Sequence, residues 1–338
     1  MDTKVDAESE RVHALDVVKT VISSTETRMS TKIDSSELSR LNKSISPLNT
    51  WKRNQILNAI ELEGANVDGS LLFGDLGIST RLLGDLSLAM QGFRLWRGAY
   101  HPGLGREILL QGNEKKETSA KIAAENPWQW EASGFIKGVA LDEIKNAWVK
   151  DNLSGFVNFG GQFLYLPKSK ESKHKSELEN TYILVDLSNA TSSSDLKPEK
   201  RITVEMPDDE AWSLATASEV GNYGSILHPA LLKARKPDYV STVVYNSSAL
   251  WADMGSVGLF VLGPLLALKI PSDPRLGEWI VIYRNRVEAT CFWKDKLTTS
   301  LKVDWLLGPC SVIKKKSRKI NPPEKLPLSR DPAIKFQL

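Results

Sequence analysis

The chain has 338 residues, 41% of them hydrophobic and 25% charged, with a formal net charge of +3. These totals fit a globular protein with a sizeable core, of one large or two medium domains, and the charge is too small to imply nucleic acid or another polyanion as a partner. Two cysteines, Cys291 and Cys310, and four scattered histidines exclude a disulfide framework and a zinc site of ordinary spacing.

From the N-terminus, the first thirty residues are rich in charge and contain no apolar stretch of signal-peptide type. Val12, Leu15, Val18, Ile22 and Met29 recur near helical spacing, which predicts an amphipathic helix over 8–30. The stretch STKIDSSELSRLN follows. Asp34, Ser35 or Ser36 can cap a helix there, Glu37 falls in its first turn, and Leu38 and Leu41 share a face. TWKRNQILNAIEL is a third helix. Another spans 81–97, and GAYHPGLG breaks it.

Residues 111–127 read as a loop or weak helix, and 132–150 as a glycine-bearing turn running into an amphipathic helix. GFVNFGGQFLYL predicts strand, glycine pair, strand. PKSKESKHKSELEN reads as an exposed loop. YILVDL and RITVEM read as strands joined by a Ser-rich linker, and SLATAS as an edge strand. DYVSTVVYN is a strand, ALWADMGSVGLFVLG a helix, and EWIVIYRN and VEATCFW are late strands; the uncharged run MGSVGLFVLGPLLAL, 254–268, is broken by Gly263-Pro264, is too short to span a bilayer and reads as a buried helix and the turn after it. Strands and helices alternate irregularly, which predicts an α+β layered domain and not a doubly wound parallel sheet. The basic run KKKSRK, 314–319, lies in a Pro-rich tail that reads as a solvated terminal segment.

The usual nucleophile and phosphate-loop signatures are missing: there is no G-x-S-x-G and no P-loop. Three features can carry chemistry. SGFIKG, 133–138, offers free backbone groups at a helix start and the cation Lys137, a combination that suits a phosphate. Gly160-Gly161 permits close backbone approach to a ligand, or a bulge. Asp253 is either a first-turn carboxylate favoured by the helix dipole or a hard oxygen ligand for Mg²⁺.

The order of these segments is more telling than any one of them. MSTKIDSSELSRLN, GAYHPGLG, EASGFIKGVALDE, FVNFGGQ and STVVYNSSALWADMGSVGLFVLGP, taken together over roughly residues 10–265, resemble the ApbE family of FAD:protein FMN transferases. The resemblance implies an ApbE/T-fold-like α+β domain over 8–310, with a mixed, mostly antiparallel sheet and packed helices, followed by the tail 311–338. It implies Mg²⁺ as cofactor and FAD as substrate. FMN would pass from FAD to a Thr or Ser hydroxyl of an acceptor flavoprotein, with release of AMP. Positioning and cation neutralisation would supply most of the catalysis, because charge on the pyrophosphate repels a nucleophile.

Carried over residue by residue, the metal would be held by the Gly134 carbonyl and Asp253. The third position, four residues on, is Val257, and the adjacent Ser256 is the hydroxyl that would substitute. Lys137 and Asp253 would be catalytic. The flavin nucleotide would meet Lys32, Ala99, Tyr100, His101, Glu131, Lys137 and Ser225. Several of these depart from the family pattern: Lys32 stands for an aromatic, His101 for an aspartate, Ser225 for a histidine, Glu131 for an aspartate, and Gln162 for the aspartate after the glycine pair. No N-terminal strand of the family type is found. The departures cluster at ligand-facing positions, so the resemblance also admits a degenerate flavin-binding or scaffold protein on the same fold. The remaining expectations are no nucleic-acid partner, no membrane span and a cytoplasmic location.

Overall fold

The computed structural model describes residues 3–48, 50–66, 73–103, 129–167, 182–186, 201–218, 226–229, 233–234 and 237–306. Ser225, the 111–127 segment, the charged PKSKESKHKSELEN stretch and the tail 311–338 lie outside the described residues.

Among the described residues, four α-helices come before the Gly134 turn. They are α1 (Thr3–Met29), α2 (Glu37–Ile45), α3 (Thr50–Glu63) and α4 (Thr80–Leu95). Ser36 caps α2, its side chain accepting from Ser39 N–H, and Ser79 caps α4 in the same way. α5 (Ile136–Lys150) follows the Gly134 turn. α6 (Ala249–Leu262) follows Ser248, whose side chain accepts from Trp251 N–H, and Gly263, at φ 83°, ends it. The short α7 (Pro264–Ala267) starts on the proline, where a missing N–H costs nothing.

The main sheet has seven strands in the order β1 (Gly155–Phe159), β2 (Gln162–Leu166), β5 (Trp212–Ser218), β8 (Tyr239–Asn246), β9 (Glu278–Tyr283), β10 (Arg286–Thr290) and β12 (Lys302–Leu306). Every pairing is antiparallel except β10 with β12, which is parallel. β3 (Tyr182–Asp186), β4 (Arg201–Glu205) and β11 (Leu297–Thr299) form a three-stranded antiparallel sheet. β6 (Leu227–His228) pairs with β7 (Lys233–Ala234). The α+β class expected from the sequence is the class observed.

Alternation along the strands separates two cores. On β9, Trp279, Val281 and Tyr283 join the helices, in a core with Trp96, Trp130, Phe135 and Phe260. Ile280 and Ile282 point the other way and meet Ile202, Val204, Trp212 and Trp293 beneath the small sheet. A third cluster, Leu141, Ile144, Trp148, Leu164 and Leu166, seats α5 on β2. Burying such side chains stabilises by about 1.5–3 kcal/mol each.

One strand corrects the sequence reading. SLATAS is not an edge: β5 lies inside the sheet, paired to β2 and β8 on its two sides. Its residues are small because α6 packs on it. Ala215 and Ala217 are buried, and a poor intrinsic strand former is held by its neighbours.

Candidate functional site

The candidate site forms where the start of α5 meets the first turns of α6. Phe135 precedes α5 and makes no side-chain capping bond. The N–H of Gly138, third residue of the helix, therefore lacks an intrahelical partner. Asp253 supplies one from α6: its Oδ2 accepts from Gly138 N–H at 2.9 Å. The contact needs glycine, since a Cβ at 138 would lie 2.6 Å from Leu250 Cα and 2.7 Å from Ala249 O.

Asp253 is 3% exposed. Burial pushes its carboxyl up to about 7, against the opposing pull of the Gly138 N–H, Lys137 and a side-chain bond from Gln162. Tyr100 is also buried. Its hydroxyl has no hydrogen-bond partner among the described residues. Burial, reinforced by the Asp253 and Glu131 charges, raises it well above the usual phenol range, so it stays protonated. The Tyr100 ring covers Gly134, where a Cβ would stand 3.3 Å from Cε2.

Glu131 links three expected segments. Its N–H donates to Pro102 O at 2.8 Å, tying the 98–103 turn to the 131–138 turn. Its Oε1 accepts from Ser133 N–H at 2.9 Å, and its Oε2 accepts from Thr31 Oγ1 at 3.3 Å. One residue earlier, Trp130 exchanges two bonds with the Asn42 side chain: Trp130 N–H to Oδ1 at 2.9 Å and Asn42 Nδ2 to Trp130 O at 3.0 Å. The capped helix of the STKIDSSELSRLN stretch thus does more than cover the surface. It holds the strip of backbone that leads into Glu131 and Gly134.

Lys137 is partly buried, and its Nζ donates to Gly160 O at 3.2 Å. Gly160 and Gly161 have φ of 59° and 86° and join β1 to β2 in a two-residue turn. Two consecutive positive φ values require a turn of the primed type, which favours glycine at both places. The glycine pair is therefore a hairpin turn and not a bulge.

Ala99 is buried. His101, whose Nδ1 accepts from Gly103 N–H at 3.1 Å, meets the Phe93 ring edge-on at 4.8 Å. Burial pushes its pKa down to about 4, so it is neutral at pH 7. Lys32 is exposed and stands next to Thr31, on the rim of the same region. Ser256 is buried, and its Oγ donates back to the Asp253 carbonyl at 2.9 Å. Its hydroxyl is committed to the helix backbone. Val257 packs against the core.

The site list drawn from the sequence lacked Gln162. It opens β2, is 4% exposed and lies beside Asp253, while its Oε1 has no partner among the described residues. Its position after the glycine pair was the available signal. Among the described residues, no three His, Cys, Asp or Glu side chains group as a metal site. The donors here are of another kind: one carboxylate, an unpaired carboxamide oxygen, an unpaired phenol and the Gly134 turn. Oxygen donors with one carboxylate suit a hard divalent cation that keeps several waters or phosphate oxygens.

Several solved flavin transferases share this fold. The flavin transferase ApbE from Vibrio cholerae superposes with a TM-score of 0.56 at 15% identity, over 89% of this chain and 90% of that one. The Pseudomonas stutzeri flavinyl transferase ApbE, in its apo form, gives 0.52 at 14%, over 80% and 82%. The ApbE protein from Thermotoga maritima gives 0.52 at 16%, over 83% and 88%. No family model and no curated protein matches the sequence. At this identity the likeness establishes the fold, and function has to be argued from the site.

Proposed function

We propose that this protein is a Mg²⁺-dependent transferase that takes FAD, passes FMN to a Ser or Thr hydroxyl of an acceptor flavoprotein and releases AMP. The observation that carries the reading is the junction of α5 and α6. There the carboxylate of Asp253 is buried, without a cation in contact, beside the unpaired Tyr100 hydroxyl and Gln162 Oε1. Uncompensated polar atoms in a buried place cost free energy unless something from outside completes them.

Asp253, the Gly134 carbonyl and Gln162 would hold Mg²⁺. When bound, the ion neutralises charge on the pyrophosphate. Ser256 would contribute only by giving up its bond to the Asp253 carbonyl. Lys137 and the exposed N-terminal edge of α5 favour a phosphate group. The Tyr100 hydroxyl is a donor, aimed from a buried ring. Glu131, Ala99, His101 and Lys32 edge the region from the 98–103 turn and the Thr31 side, and Ser225 belongs to the same proposed nucleotide contact. In the reaction, the acceptor oxygen bonds to the FMN-side phosphorus and loses its proton. The pyrophosphate bridge breaks, and AMP carries away the bridging oxygen.

A second reading is favoured by Val257 and Ser256: the place of a third ligand is apolar, and the neighbouring hydroxyl is spent. On that reading the chain holds a flavin without cleaving it. The two are separated by incubating the protein with FAD, Mg²⁺ and a Ser/Thr-bearing flavoprotein acceptor, then weighing the acceptor by mass spectrometry. A covalent FMN adduct supports the transferase. FAD recovered intact, in complex with the protein, supports the holder.

A cytoplasmic location, expected from the sequence, is part of the same reading. Among the described residues, no helix is long and apolar enough to cross a membrane.

A further inference from the structure

Asp253 caps α5 from α6. The reverse contact also exists. The first N–H groups of α6 need partners from outside the helix. Asp142, on α5, supplies them: its Oδ1 accepts from Ala249 N–H at 2.8 Å, and its Oδ2 accepts from Leu250 N–H at 3.1 Å. The same Oδ2 accepts from Ser248 Oγ–H at 2.6 Å. Three residues further along α5, Lys145 Nζ donates to Ser247 O at 2.6 Å. Gly138, Asp142 and Lys145 are spaced by four and three and so share one face of α5. All three meet the start of α6.

We propose that Asp142 is a positioning residue for Asp253: by clamping the N-terminal turn of α6 to α5, it sets where the Asp253 carboxylate lies. The close approach at Gly138 fixes the separation of the helices but not their slide or rotation. A slide of one residue would move Asp253 by about 1.5 Å along the axis and turn it by about 100°. Leu250 is three residues before Asp253, close to one full turn, so a grip on the Leu250 N–H acts on the face that carries Asp253. Ser248 already caps α6 from within, through Trp251 N–H. Asp142 adds a grip that depends on how the two helices sit together. That Asp253 does chemistry rests on the proposed function; that Asp142 positions it does not.

The test uses the full chain and the variants Asp142→Ala, Asp142→Asn and Ser248→Ala. Amide hydrogen exchange is read at Gly138, whose N–H reports the Asp253 contact, and at Val243 and Val281 in the central strands. In Asp142→Ala, Gly138 should lose protection by about tenfold or more relative to Val243 and Val281. Asp142→Asn, which keeps one acceptor oxygen, should lose less. Ser248→Ala, which removes one donor, carries the test if Asp142→Ala does not fold. Protection at Gly138 that is unchanged, or that falls only in step with Val243 and Val281, overturns the proposal.

A second readout is the Mg²⁺ concentration giving half-maximal AMP release from FAD in the presence of a Ser/Thr-bearing acceptor flavoprotein. It should rise in Asp142→Ala and recover in part in Asp142→Asn, with a smaller change in kcat at saturating Mg²⁺. If the unmodified protein releases no AMP, the transferase reading fails, and the exchange result still decides the role of Asp142.

Discussion

Asp85, half-buried, and Asp253, buried, are both acidic side chains in the helical layer, and they are balanced in opposite ways. Asp85, on α4, sits in a network completed within the fold. Arg28 Nε donates to it at 3.0 Å, and Arg28 also pairs with Glu143, which meets Arg81 at 2.6 Å and Thr25 Oγ1 at 3.3 Å. Burial, with the Glu143 charge adding to it, outweighs the arginines and pushes the Asp85 carboxyl up to about 6. Asp253 has a backbone N–H and a carboxamide as partners, and Lys137 acts on it only at a distance while bonding Gly160. The first carboxylate finds its countercharge inside the molecule. The second is ordered but uncompensated, as expected for a group that waits for a ligand.

The strongest way to break this contrast is to remove a charge from each place. Arg28→Ala leaves two half-buried carboxylates without their shared partner and should cost about 3–5 kcal/mol in urea unfolding. Asp253→Asn removes a charge that nothing inside the fold balances. It should leave stability unchanged or raise it by about 1 kcal/mol, since an amide oxygen can still accept from Gly138. A loss comparable to that of Arg28→Ala would place Asp253 in a structural network too.

A packing change sharpens the picture of α6. A Cβ at Gly258 would lie 2.5 Å from Trp96 Cγ and Cδ2. Gly258→Ala should therefore destabilise by about 1–3 kcal/mol, measured by the thermal midpoint. A further effect is a pH dependence. Asp85 holds its proton in the folded state up to about 6 and, unfolded, releases it near 3.8, the ordinary value for an aspartate. A raised folded pKa means that the folded state binds more protons across this window, so stability falls as pH rises from about 4 to about 6. The Asp85 part of the loss should be on the order of 2 kcal/mol, and Asp85→Asn should remove that part while the part from Asp253, raised to about 7, remains.

Much of the fold was legible because its signals are local. α2, α4 and α6 follow serine caps, and periodic apolar residues mark their buried faces. β5 was misread because alanine and serine carry little strand signal; its place inside the sheet comes from what packs on it. In the site, the 98–103 turn, Glu131, Gly134, Lys137 and Asp253 stood out as motifs, and the fold brings them together. Asp142 did not, because its partners are more than a hundred residues away in the chain. Ser256 shows the limit of spacing: three residues from Asp253, it shares a helix face with it, yet its hydroxyl turns back to the backbone. Gln162 was visible only as a departure from a pattern, and the structure gives it a contact with Asp253.

The most direct measurement is AMP release from FAD by the full chain and by Asp253→Asn, in the presence of a Ser/Thr-bearing acceptor flavoprotein and with and without Mg²⁺, resolved by chromatography. The account predicts Mg²⁺-dependent AMP from the unmodified protein and a loss of about a hundredfold or more in Asp253→Asn, the scale expected when a charge acting in the transition state is removed. AMP release that ignores both Mg²⁺ and the substitution, or FAD left intact by both proteins, would contradict it.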